Sequence, residues 1–306
     1  MPDITITRPL TSKNNFYYLI GLFFLFLNKF RHSLKGYTTP RTFSPKMIER
    51  SVKYDFNIVQ NWWTFLSDYT NHNTSFIDKN ILEIGPGEDL GIGLILLAKG
   101  AKKYNAIDVN FLIKNASSGF YKTLFEKIKD EMPDIDVDEL RGQLGKTLSG
   151  NNDKLNYIYD KNLSFSVFAN DKIDLVLSNA AFEHLNDFHT MIHELTAICI
   201  KGCILISEID LKTHTRWIKD KDPENIYRYP KSLYNTLKFQ GSPNRLRPKD
   251  YQKSLMESGW KNIKIHPLNI LENKYFQSIQ NSLHYDFRAP ENQMEILSFI
   301  LCATKA

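Results

Sequence analysis

Short apolar runs of strand length alternate with segments whose apolar positions recur every three or four residues. Val52, Phe56, Ile58, Val59, Trp62, Trp63, Phe65 and Leu66 predict a helix over 51–70. Asn80-Ile-Leu-Glu-Ile-Gly-Pro-Gly reads as a short buried strand running into a glycine turn, and Asp89–Lys99 as an apolar helix stopped by Gly100. Lys103–Asp108 predicts a second strand, and 110–130 and 135–149 predict two helices. Residues 156–159 and 163–168 read as strand pieces. Ile173–Ser178 predicts a strand, Asp187–Cys199 a helix and Cys203–Ile209 a strand. Lys249–Ser258 predicts a helix ended by Gly259, and Trp260–His266 and Ile296–Ala303 two further strands. This alternation predicts an α/β fold, a doubly wound and mostly parallel sheet. The stretches 110–155, 210–248 and 267–294 are too long for plain connections, so they are expected to cover a ligand crevice.

Residues 1–50 read as a separate N-terminal segment ahead of a domain over 51–306. Its core is FYYLIGLFFLFL at 16–27, twelve uncharged residues. As a helix it would span about 18 Å, against a hydrocarbon core of about 30 Å. Arg8 and Lys13 precede it, but no small-x-small site follows, which argues against a cleaved leader. Residues 29–50 then carry Lys29, Arg31, Lys35, Arg41, Lys46 and Arg50 against Glu49 alone. An apolar plug followed by basic residues suits a helix resting on an anionic leaflet through residues 16–35. The alternative is a helix buried against the domain or a second copy.

Composition narrows the classes. The chain has 306 residues, 42% apolar and 24% charged, which excludes a disordered chain. With 39 Lys+Arg against 34 Asp+Glu there is no basic stripe to favour a nucleic-acid partner. Three cysteines without a CxxC argue against a disulfide framework or thiolate zinc site and point to a reducing, cytoplasmic setting.

The chemistry concentrates after the first strand of the domain. Glu83-Ile-Gly85-Pro86-Gly87-Glu-Asp-Leu-Gly91 is followed by Asp108, 21 residues beyond Gly87. Glycines there let the backbone approach a ligand, and a carboxylate ending the second strand can accept from two ribose hydroxyls. A dinucleotide fingerprint needs glycine at position 90, which is Leu, and Glu88 and Asp89 oppose a pyrophosphate.

These residues resemble the class I S-adenosylmethionine-dependent methyltransferases. ILEIGPG matches their E/D-x-G-x-G motif, Asp108 their ribose acid, and IDLVLSNAAFEHL at 173–185 a stretch of the type 11 group. Residues 249–266 and 296–303 are similar to the family's last helix and terminal hairpin. The resemblance implies a Rossmann-like seven-stranded sheet with an antiparallel last strand, helical insertions forming a substrate lid, and S-adenosylmethionine as cofactor. It implies Glu83, Gly85, Pro86 and Gly87 around the methionine moiety, Asp108 on the ribose, Asp160 near the adenine, and Ser178 and Asn179 beside the sulfonium.

On the substrate side, Glu183 and His184 follow the fourth strand, with His184 a candidate general base. EIDLKTH (208–214) and NRLR (244–247) resemble a bacterial subgroup found with surface-polysaccharide or lipid assembly genes. There Asp210 and His214 are candidates to bind or deprotonate a sugar hydroxyl. Arg245 and Arg247 are candidates to grip an anion, the alternative being a lid held by internal pairs. The spacing along the chain shows no tight metal-ligand set, so no metal is expected. The resulting expectation is O-methylation of a glycan, glycolipid or lipid-linked intermediate near the cytoplasmic membrane face. Alternatives are N- or C-methylation of a soluble small molecule, or a non-catalytic scaffold of the same fold. The sequence leaves the oligomeric state open.

Overall fold

The computed structural model describes residues 3–9, 14–35, 45–215 and 217–306. Lys13, Arg41 and the side chains of Lys35 and Lys46, part of the charge pattern around the apolar run, lie outside the described residues. In chain order the elements are β1 (Thr5–Thr7), α1 (Asn14–Lys35), α2 (Pro45–Tyr69), β2 (Asn80–Ile84), α3 (Gly91–Ala98), β3 (Lys103–Asp108), α4 (Ser118–Glu131), α5 (Val137–Leu148) and β4 (Leu155–Tyr159). They continue as β5 (Ile173–Asn179), α6 (Phe188–Ile198), β6 (Cys199–Asp210), α7 (Lys231–Leu237), α8 (Pro248–Glu257), β7 (Trp260–Leu271), α9 (Asn273–Ile279) and β8 (Ile296–Lys305).

The strand order is β1-β7-β8-β6-β5-β2-β3-β4. Strands β2 to β6 pair in parallel, while β8 runs antiparallel between β6 and β7. This is the doubly wound sheet that the alternation implied, with the antiparallel last strand that the resemblance implied. It has eight strands where seven were expected, because Thr5–Thr7 adds an edge strand parallel to the end of β7. Three residues are too few to display an alternation.

Both faces of the sheet are covered, so the central strands are mostly apolar and mostly buried on both sides. Along β5, Leu175 and Leu177 enter the core shared with Trp62, Leu94 and Phe120 on α2, α3 and α4. Ile173 and Val176 enter the opposite core with Phe188, Ile192 and Tyr251 on α6 and α8. The 163–168 segment is not a strand: Phe165–Phe168 forms a 3-10 turn that buries both phenylalanines under α6. β7 runs five residues past the predicted end, with Pro267 paired to Phe299 next to a register irregularity, where a proline is tolerated in a strand.

The 210–248 and 267–294 stretches hold more structure than their periodicity suggested. Asn225–Arg228 is a 3-10 turn, and α7 and α9 follow. Against them lies α1, with Tyr17 and Leu25 buried and the Tyr18 ring tilted against Tyr229 at 5.0 Å between centroids. Gly21 is required there, since a Cβ would fall 2.0 Å from Asn225 Oδ1. The opposite face of α1 is a row of exposed apolar side chains: Phe16, Leu19, Phe23, Phe26, Phe30 and Leu34. Among the described residues no helix is long and apolar enough to cross a membrane.

Candidate functional site

The sheet's order reverses at β2, which has β3 on one side and β5 on the other. Carboxyl ends of strands part at such a point and leave a crevice. A cavity of about 810 Å³ lies there, walled by Gly85, Gly87, Asp108, Asn179, His184 and Gly241 among others. Gly85 has φ +77° and Gly87 φ +82°, in the left-handed region where side chains are strained. A Cβ on Gly85 would lie 2.7 Å from Ala181 Cβ, whereas one on Gly87 would meet nothing within 4 Å. The first glycine therefore closes the turn against the β5 loop, and the second leaves bare backbone facing open space. Ala180, also left-handed at φ +51°, is pinned by its N–H to the Glu208 carbonyl at 2.9 Å.

Asp108 ends β3 and aims at this turn. Its Oδ2 accepts from the Gly87 N–H at 3.4 Å and its Oδ1 from the Asn110 N–H at 2.8 Å. Burial pushes its pKa up to about 6, against the pull of those N–H groups. Glu83 is buried beneath the turn and accepts from the Tyr104 hydroxyl at 2.6 Å. At the start of α3, Asp89 accepts the Gly91 N–H at 2.8 Å. The spot a pyrophosphate would take at that helix end is filled by the protein's own carboxylate.

Other predicted residues fall in varied places. Pro86 and Asn179 line the cavity. Asn179 donates to the Tyr54 hydroxyl at 2.9 Å, and Tyr54, from α2, is a wall residue that the sequence reading missed. In sequence it is one polar-tipped residue on an apolar helix, with nothing to mark it. Ser178 is fully buried and spends its hydroxyl on the Ile84 carbonyl at 3.0 Å, behind the wall. Asp160 accepts the Asn162 N–H at 2.8 Å, so its side chain shapes the turn while Lys161, Asn162 and Leu163 line the cavity. The 210–248 stretch does reach the mouth: Gln240 bridges to Asn110 at 3.5 Å, and Lys238 to Asn186 at 3.1 Å.

The fold gathers four of the candidate catalytic and substrate residues. Glu183 and His184 lie in the turn after β5, Asp210 ends β6, and His214 follows it. The His184 and His214 rings are 4.8 Å apart, and His214 Nε2 is 4.0 Å from Asp210 Oδ2. Burial lowers the pKa of His184 and takes that of His214 down to about 3, so both rings are neutral near pH 7. Burial also raises Glu183 well above the usual carboxylate range. Burial works in the same sense on Asp210, but Lys212 and Lys219 outweigh it and hold Asp210 ionised. Only His184 of the four borders the cavity.

The two arginines are elsewhere. Arg245 donates to the Ile226 and Tyr229 carbonyls at 3.0 and 2.7 Å. Arg247, fully buried, donates to the carbonyls of Asn292, Gln293 and Ile296 at 2.7–3.1 Å. The expectation that they grip an anionic substrate is corrected: neither guanidinium borders the crevice, and both hold the lid segment to its neighbours.

No family model matches the chain, and no curated protein matches it. Among solved structures it is similar to the CurJ carbon methyltransferase, 13% identical over 94% of this chain and 67% of that one, TM-score 0.48. It is also similar to a SAM-dependent methyltransferase from Archaeoglobus fulgidus, 14% identical over 81% and 94%, TM-score 0.42. A third is Haemonchus contortus phosphoethanolamine N-methyltransferase 2, solved with phosphomonomethylethanolamine and S-adenosylhomocysteine, 11% identical over 83% and 53%, TM-score 0.45. These likenesses are ones of shape, and the chemistry of the crevice is read from its own residues.

Proposed function

We propose that the protein is an S-adenosylmethionine-dependent methyltransferase acting on a hydroxyl of a glycan, glycolipid or lipid-linked intermediate. The observation that carries this is the open Gly87 backbone set against the Asp108 carboxylate, beside a helix end closed to phosphate by Asp89. In this reading Gly85, Pro86 and Gly87 pass along the methionine moiety, with Glu83 beneath them. Asp108 accepts from both ribose hydroxyls, and Lys161–Leu163 flank the adenine. When bound, the cofactor supplies a sulfonium methyl for in-line displacement. Asn179 and Tyr54 border the space in which the acceptor oxygen would approach. His184, uncharged near pH 7, is the wall group able to take the hydroxyl proton. The EIDLKTH and NRLR resemblance supports the glycan or lipid assignment, although those residues serve the lid's own fold. Transfer of labelled methyl from S-adenosylmethionine to undecaprenyl-linked or glycolipid acceptors tests the assignment. Labelling confined to water-soluble small molecules would overturn it.

Ribose hydroxyls need Asp108 as an acceptor, so its proton competes with the ligand. Its pKa is raised to about 6, so the ionised fraction falls as pH drops through 6. At pH 5 about one molecule in ten is ionised, so S-adenosylhomocysteine affinity is expected to be about tenfold weaker than at pH 8. Calorimetric Kd values across pH 5–8 check this, and an Asp108→Asn variant should bind weakly and show a flat profile.

The outward row on α1 supports contact with a membrane surface at the inner leaflet. Its aromatic side chains are each about half exposed, and Lys29 and Arg31 flank them. Burying the exposed half of one such side chain contributes about 1 kcal/mol. Co-sedimentation with phosphatidylglycerol vesicles is expected to fall at least tenfold in Phe23→Ser/Phe26→Ser/Phe30→Ser, with weak binding to phosphatidylcholine throughout. Equal sedimentation of the variant would remove the membrane contact from the account.

A further inference from the structure

We propose that Glu183, His184 and His214 form a binding site for a divalent transition metal of the zinc class, tying the lid segment to the crevice wall. One ligand atom from each residue lies within 4.8 Å of the others. Zinc at about 2.0–2.2 Å from each donor would hold them about 3.4 Å apart, so the three need close by little more than an ångström.

Two observations beyond the grouping point to a cation. Glu183, only 1% exposed, has its Oε2 buried without a hydrogen bond among the described residues. His184 Nδ1 is likewise buried without a hydrogen-bond partner. An orphaned carboxylate oxygen and an orphaned imidazole nitrogen are each costly to bury, and one cation satisfies both.

The donor set selects the ion. Two imidazoles and a carboxylate suit zinc and its first-row neighbours, whereas magnesium and calcium take oxygen shells. Asp210 stands behind His214 at 4.0 Å and accepts Lys219 Nζ at 2.9 Å, with Lys212 Nζ at 3.7 Å. His214 belongs to the segment that continues into the lid, so the ion would link that segment to the turn after β5. A cation uses the His184 lone pair that a general base would need, so the two uses of His184 are alternatives. The metal site does not depend on the methyltransferase reading.

The test is titration of the dialysed full-length protein with zinc chloride, by calorimetry and by elemental analysis after gel filtration. About one tightly held equivalent is expected, weakened at least tenfold in His214→Ala and in Glu183→Gln. His189→Ala, which removes an exposed imidazole beside Glu257, should match the parent. Cobalt(II) should give visible absorption bands in the parent and lose them in His214→Ala. Circular dichroism and S-adenosylhomocysteine titration of the same variants separate metal loss from misfolding and from failure of the cofactor reading. No saturable equivalent in the parent, or the same equivalent in a folded His214→Ala protein, would overturn the site.

Discussion

Arg247→Ala is expected to lower the unfolding free energy by about 3–5 kcal/mol, the usual cost of removing one partner from a buried charged set. Arg247 is 0% exposed, holds three carbonyls of the 292–296 turn, lies over the Tyr227 ring at 4.9 Å and faces Glu224 at 3.8 Å. Without it those carbonyls lose their donors. Glu224, whose pKa burial already raises to about 8 against the pull of Arg247, would go further toward its neutral form. Arg247→Lys restores charge without the planar fork and should recover only part of the loss. Urea unfolding with intrinsic tryptophan fluorescence measures both. A substrate-gripping arginine would behave differently, raising KM at unchanged stability, and that outcome would restore the role the sequence suggested.

The second large effect is expected at Asp108. Asp108→Ala should weaken S-adenosylhomocysteine binding at least a hundredfold, since two charge-assisted hydrogen bonds at about 1.5–3 kcal/mol each are lost. The fold should survive. Burial raises the Asp108 pKa, so its charged form costs stability that is progressively lost from the protein as pH rises from the unfolded value through about 6. Alanine removes that cost along with the bonds to Gly87 and Asn110. A melting temperature near that of the parent, with binding gone, is the expected pair of results. Unchanged binding would move the ribose away from β3.

What was legible in the sequence divides along physical lines. Central strands announce themselves because both faces of the sheet are buried: β3 was read to the residue, and β2 and β5 nearly so. The turn at Gly85–Gly87 and the carboxylate at Asp108 were legible because backbone conformation and strand-end position constrain residue type locally. The cluster of Glu183, His184 and His214 was not legible as a set. Its members are close only because β5 and β6 are parallel neighbours with Asn179 opposite Glu208. Arginines 245 and 247 misled because a guanidinium that binds carbonyls looks in sequence like one awaiting a ligand. Tyr54 and the 161–163 wall carry no local signature, and β1 is too short to have one.

The central claim is that the crevice holds S-adenosylmethionine and not a dinucleotide. Calorimetric titration of the wild-type chain with S-adenosylhomocysteine, beside a matched titration with NAD, tests it most directly. The account predicts one site of micromolar affinity for the first ligand and no measurable heat for the second. A folded protein that binds NAD, or binds neither, would contradict it.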